Sequence, residues 1–437
     1  MKRTVFLLIL LGSLFCSIRT PAQDFKSHID FLASEACAGR VTQTKGDTLA
    51  VNYIVDQLKA IDGVTLLGKN GTQDFAFNGA RATLADSTQL SVNKSKMHYG
   101  KEYVVLPVSN SGTYTGETVY LGALDAEKIK DMDLKGKMVL LDQKVTDGRP
   151  FMRILYQATA LEEVGATGII FISDTVNARY STSRAMAGSR AVYLNVNKAL
   201  GERLKKGATV KVCTIVRTTT EGQRIGRNIV AKIAANPALN PNGECIVIGG
   251  HYDHMGIRNT EQGNQMYPGA DDNASGIATV IELARYVSTL RPVLKKDVYF
   301  VAFGCEESGL IGSFYYAEHP LEPLDNARAM LNFDMVGRMS DYQLDIEAFN
   351  SWDLWPNFLS QLPNKDRLNL IWLNRSPGGT DYAGFTARGI PALSFCTGLH
   401  PDYHKPTDTP DKINYQGLKA VYDYVTNIVD RLVLLNY

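Results

Sequence analysis

The run Cys245-Ile-Val-Ile-Gly-Gly-His251-Tyr-Asp-His254-Met-Gly256, a polar loop, and Pro268-Gly-Ala-Asp-Asp-Asn-Ala-Ser-Gly276 decide how the rest of the chain is read. Residues 245–250 are apolar, β-branched and of a length that suits a buried strand. Beyond the loop, Ile277, Val280, Ile281, Ala284 and Val287 recur at helical spacing, with Ser275 available to cap the helix start. His251 and Asp253 therefore stand at the end of a core strand, and Asp271 and Asp272 where the next helix begins. Ligands of α/β sheets bind at strand ends, and imidazole and carboxylate groups converging there suit a divalent metal. A capped helix preceded by polar loop residues is the simpler alternative on this stretch alone.

Working outward, apolar strands are predicted at 228–232, 297–303, 329–334, 344–348, 369–373 and 392–395, with helical stretches between several of them. That alternation predicts an α/β fold: a mixed, largely parallel sheet with helices on both faces. Leu418, Val421, Val425, Ile428 and Leu432 form one stripe of a helix that docks at the end of the chain. Upstream, residues 27–61 read as two helices, separated by a Gly turn and an exposed Arg40. Residues 64–95 read as strands and turns. The texture changes near residue 97. Short strands are predicted at 103–106, 117–121, 137–142, 169–172, 191–195 and 209–216, with one helix over 151–164. This stretch has no clustered catalytic side chains and reads as a small β-rich α+β domain inserted over 97–220.

The 437 residues suffice for two or three domains, and 45% hydrophobic with 21% charged residues describes an ordinary globular chain. A net charge of +1 argues against a nucleic-acid partner. Residues 1–22 have the pattern of a signal peptide: Lys2 and Arg3, an apolar core from Val5 to Cys16, and small residues before the cleavage point. Bulky Phe15 before Cys16 favours secretion over lipidation, and no later apolar run is long enough to span a membrane. The expected location is secreted or periplasmic. Cys37, Cys213, Cys245, Cys305 and Cys396 are odd in number and widely spaced, which suits buried small hydrophobes better than a disulfide framework.

Further polar groups end strands of the same sheet. The run 298–303 leads into Gly304-Cys-Glu306-Glu307, the run 330–333 into Asp334, and the run 392–395 into a loop holding Tyr403, His404 and Asp408. Carboxylates gathered at one sheet edge repel one another, and paired divalent cations remove that cost.

This set resembles the zinc exopeptidases with two co-catalytic metals, the secreted leucyl-type aminopeptidases and glutamate carboxypeptidase among them. The run Gly136-Lys-Met-Val-Leu-Leu-Asp142, followed by Gly165-Ala-Thr-Gly-Ile-Ile-Phe-Ile172, resembles the protease-associated domain inserted in such enzymes. The resemblance implies a catalytic domain made of residues 23–96 and 221–437, and two Zn2+ per chain. It implies that His251 and Asp334 bind one metal, His404 and Glu307 the other, and that Asp272 bridges both. Glu306 would be the general base and Tyr403 a hydrogen-bond donor to the oxyanion. Asp253 would orient His251 and Asp408 would orient His404. His254, His319 and His400 are expected as loop or outer residues, and Lys405 and Arg375 as solvated surface. Gly378 to Asp381 resembles a loop at the pocket wall. The resemblance makes peptides the expected substrate, cut from the N-terminus. A carboxypeptidase or dipeptidase of the same chemistry, or a binding protein on the same scaffold, is the alternative.

Overall fold

A computed structural model describes residues 23–435, apart from 85–87, 107–108, 110, 123–128, 130–131, 143–157, 159–160, 163, 175, 177–189, 261–262, 365 and 374–378. The leader over 1–22, most of the helix expected over 151–164, Arg375 and Gly378 lie outside the described residues.

Among the described residues nine strands build the main sheet: β1 (Val64–Leu66), β2 (Thr72–Leu84), β3 (Val216–Ile233), β4 (Cys245–His251), β5 (Asp297–Phe303), β6 (Ala327–Phe333), β7 (Gln343–Glu347), β8 (Asn369–Leu373) and β9 (Ala392–Cys396). Their order is β1-β3-β5-β4-β6-β9-β7-β8, with β2 also paired to β3. The centre, β5-β4-β6-β9, is parallel throughout. Antiparallel pairing appears on either side, at β3 with β5 and at β7 with β9. The four parallel strands therefore end at one edge of the sheet, which is where side chains from distant parts of the sequence meet.

Both faces of this centre are covered, which is why its strands are continuous apolar runs rather than alternating ones. Ile246 and Ile248 point to a core shared with α1 (Phe25–Leu32), α2 (Lys45–Lys59), α3 (Gly276–Thr289) and α6 (Tyr415–Leu434). Cys245 and Val247 point the other way, toward α4 (Ile311–Glu318) and α5 (Tyr382–Thr386). The expected docking helix is α6. Its N-cap Asn414 accepts the Gly417 N–H at 2.9 Å, and Leu418, Val421, Val425, Ile428 and Leu432 are all buried. Burying each contributes roughly 1.5–3 kcal/mol. Among the described residues no helix is long and apolar enough to cross a membrane. Cys37, Cys245 and Cys305 are buried as expected, whereas Cys213 is exposed and Cys396 half-buried.

A second sheet, of eight strands among the described residues, takes the order Ser95–Lys96, Gln89–Val92, Thr209–Thr214, Gly112–Gly122, Lys137–Leu141, Gly168–Ser173, Val192–Asn197, Tyr103–Val105. Apolar side chains fill both its faces. The long antiparallel pair of β2 and β3 leads into it and out of it. The boundary expected at residue 97 falls among its strands, because Gln89–Val92 already pairs with Thr209–Thr214.

Candidate metal centre

His251 is the last residue of β4, directly opposite Phe303 at the end of β5. The chain beyond β5 turns at Cys305, whose φ is 61°, into Glu306 and Glu307. Asp334 follows β6 at once, and the loop after β9 carries Tyr403 and His404. Asp272 comes from the winding Ala270–Ser275 that precedes α3. The sheet edge thus brings together all five residues expected to bind metal, and Glu306 with them.

Asp272 stands in the middle. Its Oδ1 is 3.3 Å from His251 Nε2, and its Oδ2 is 3.1 Å from His404 Nε2. Asp334 Oδ1 lies 3.5 Å from His251 Nε2, and Glu307 Oε1 lies 3.3 Å from His404 Nε2. Tetrahedral ligands bound at 2.0–2.2 Å sit roughly 3.4 Å apart, so these separations suit two ions with one carboxylate between them. His251 Nε2 is buried and makes no hydrogen bond among the described residues although carboxylates surround it. Glu306 Oε2 is farther off, 4.0 Å from His251 Nε2. Burial alone would lower the pKa of both histidines. The carboxylates outweigh it: Glu306, Asp272 and Asp334 raise His251 well above its ordinary value, and Glu307 and Asp272 push His404 up to about 10. The pocket carries an excess of negative charge that cations can balance.

The supporting contacts differ in part from the sequence expectation. Asp253 touches His251 through its backbone: its carbonyl oxygen is 3.1 Å from His251 Nδ1, while its carboxylate is 3.9 Å away. That carboxylate instead accepts the backbone N–H of Glu306 at 2.9 Å and of Glu307 at 3.3 Å. Asp408 does not orient His404. It accepts the backbone N–H groups of Asp271 at 3.0 Å and Asp272 at 3.1 Å, because the loop after β9 folds back beneath the Asp272 segment. Ser275 makes no capping hydrogen bond. Asn273 fills that place, accepting the Gly276 N–H at 3.1 Å and the Met335 N–H at 3.2 Å.

Arg40 is buried rather than exposed. Its guanidinium donates to the carbonyl oxygens of Tyr252 at 2.7 Å, Leu32 at 2.5 Å, Pro268 at 2.7 Å, Gly269 at 3.0 Å and Asp272 at 3.5 Å. An arginine after a Gly turn reads as surface in the sequence, and nothing local announces a fork that joins the nearby Leu32 carbonyl to four others more than 200 residues away.

Tyr403 stacks on the His404 ring with centroids 3.9 Å apart. His319 is remote from the site, packed on Tyr315, and Lys405 is exposed, its ammonium donating to the Pro401 carbonyl. His400 reaches Asp271, with Nε2 3.1 Å from Oδ2. His254, expected as a loop or outer residue, lies within the centre: its Nδ1 is 2.8 Å from Glu307 Oε1. Its donor atom and those of Asp272 and Glu307 lie within 4.8 Å of one another, as do those of His251, Glu306 and Asp334.

Comparison with known proteins gives the family. The model of peptidase family M28 matches residues 228–429, the span that holds every one of these candidate metal residues. A protein of Escherichia coli named YfbL and described as uncharacterized is 30% identical over 248 residues, 46% of this chain and 70% of that one. Aminopeptidase YwaD of Bacillus subtilis is 26% identical over 324 residues; the match covers 71% of this chain and 66% of that relative, just under two thirds of its length. The solved aminopeptidase from Aneurinibacillus sp. strain AM-1 has a TM-score of 0.57 at 25% identity, covering 96% of this chain and 95% of that one. The chain belongs to peptidase family M28.

Proposed function

We propose that the protein is a secreted zinc aminopeptidase with two metals per chain. The observation that carries this reading is the single carboxylate of Asp272, whose two oxygens face two different imidazoles. His251, Asp272 and Asp334 would hold one Zn2+, and His404, Asp272 and Glu307 the other. Two imidazoles and three carboxylates without thiolate are a donor set zinc accepts, and relatives of this chain are named zinc metalloproteases and aminopeptidases. When bound, such paired ions polarise a carbonyl and acidify water.

The chain's own groups do the rest. Glu306, beside the His251 site but farther from its imidazole than the proposed ligands, takes the attacking water's proton and returns it to the leaving amine. The Tyr403 phenol donates to the oxyanion as the carbonyl becomes tetrahedral. Asp334 and Glu306 offer negative charge to a free α-ammonium, which is why we read the substrate as a peptide held by its N-terminus. Residues 1–22 act as the secretion signal. The second sheet is read as a protease-associated insert that shades one side of the cleft and favours short peptides.

One peptide in free, N-acetylated and C-amidated forms, incubated with the protein and followed by mass spectrometry, tests the reading. Release of N-terminal residues from the free and amidated forms, with the acetylated form left intact, is the expected result. Cleavage of the acetylated form with the amidated one spared would make the protein a carboxypeptidase.

A further inference from the structure

We propose that His254 is a positioning residue for Glu307, and through it sets the affinity of one metal of the pair. The proposal rests on the two-metal reading and adds to it a residue outside the expected ligand set.

His254 stands three residues beyond His251, and its side chain is fully buried. A carboxylate can only accept, so the 2.8 Å contact from His254 Nδ1 to Glu307 Oε1 is an N–H donated by the imidazole. The accepting oxygen is the same one that lies 3.3 Å from His404 Nε2. The hydrogen bond therefore fixes the oxygen that faces the His404 site. Asp272 Oδ2 is 3.9 Å from His254 Nδ1, outside hydrogen-bonding range, so the contact is specific to Glu307.

The ring has little freedom to swing away. Gly269 backs it so closely that a Cβ at that position would come within 2.5 Å of His254 Cδ2. The neighbouring Asp253 carboxylate accepts the Glu307 backbone N–H at 3.3 Å. Two adjacent residues beyond β4 thus hold Glu307, one by its main chain and one by its carboxylate. A glutamate on a turn otherwise has rotamers that point its carboxylate elsewhere. Removing them before the ion arrives reduces the entropy lost on binding. Partners that orient a metal ligand in this way typically change affinity 10–100-fold when removed.

The test titrates the metal-free full chain with Zn2+ in competition with a chromophoric chelator, and repeats the titration with Co2+ while recording the visible spectrum. The variants are His254→Ala and His254→Gln. Gln keeps an N–H donor but is a poor metal ligand. Circular dichroism and melting temperature report whether each variant is folded. We expect two binding steps in the wild type. In His254→Ala one step weakens roughly 10–100-fold while the other is unchanged, and His254→Gln recovers most of the loss. Unchanged affinities in His254→Ala would overturn the proposal. So would a Gln variant as weak as the Ala variant with an altered Co2+ spectrum, which would make His254 a ligand. A wild type that binds a single ion would instead overturn the two-metal reading itself, and the proposal with it.

Discussion

The carboxylate of Asp253 accepts the backbone N–H of Glu306 at 2.9 Å, so the residue just beyond β4 holds the turn just beyond β5. The two strands are parallel neighbours, and this bond carries their registry past the point where the ladder stops. Asp253→Asn keeps an oxygen for Glu306 but turns an amide toward the Glu307 N–H. It should leave the fold intact and lower kcat/KM roughly 10–100-fold, the usual cost of losing a partner that orients metal-site residues. Steady-state kinetics alongside circular dichroism would check this. Wild-type rates in the folded variant would show that the turn needs no such tether.

Glu306 and Glu307 are adjacent in sequence yet face different sites: Glu306 Oε2 approaches His251 and Glu307 Oε1 approaches His404. Glu306→Gln should keep the metals and most substrate affinity while kcat falls by roughly 10²–10⁴, the scale of general acid–base catalysis. Glu307→Gln should weaken one metal instead. Metal analysis and kinetics on the two variants separate the roles. Equal metal loss in both would mean that the adjacent pair is assigned wrongly.

The shared position of Asp272 makes the metal count itself predictive. Metal analysis of the purified protein should return two divalent ions per chain. His251→Ala and His404→Ala should each lose one ion selectively, while Asp272→Asn should weaken both. Because a bound metal stabilises the fold by mass action, about 2.7 kcal/mol at 100 times Kd, stripping it with a chelator should lower Tm, and adding Zn2+ back should restore it. A single tightly held ion under fully active conditions would remove the basis for a bridging Asp272.

The main sheet and the edge where the candidate metal residues gather were legible because they depend on short-range signals. A run such as 245–250 is too apolar for anything but a covered strand, and a polar cluster after each run marks the strand end. What was not legible depends on geometry between distant segments. Asp408 and His404 are close in sequence, yet Asp408 serves the backbone of Asp271 and Asp272, because the fold brings their N–H groups closer to it. Ser275 fits a capping pattern, but Asn273 takes the role and leaves the Ser275 hydroxyl to donate to the Asp271 carbonyl at 2.7 Å. Spacing finds the histidines and carboxylates. It does not say which oxygen of which carboxylate each one meets.

Arg40 gives the last prediction. It is buried, and its fork serves carbonyls of Leu32 at the end of α1, Tyr252 beside His251, and Pro268 and Gly269 just before Asp272. Arg40→Met keeps much of the stem's packing but takes the guanidinium from the Leu32, Tyr252 and Pro268 carbonyls and leaves Gly269 with only the Ala274 N–H at 3.3 Å. An unsatisfied buried polar group costs about 1–3 kcal/mol. Partial relaxation of the loops would leave a net loss of about 1–3 kcal/mol for each carbonyl that stays unpaired. Arg40→Lys restores the charge but not the planar fork, so it should fall between the two. The same carbonyls belong to the segments that carry His251 and Asp272, so metal affinity should drop with stability. Chemical denaturation of the metal-free variants and Zn2+ titration of the folded ones read the two effects separately. If Arg40→Met matched the wild type in both, these contacts would be incidental and the loops would hold their shape by packing alone.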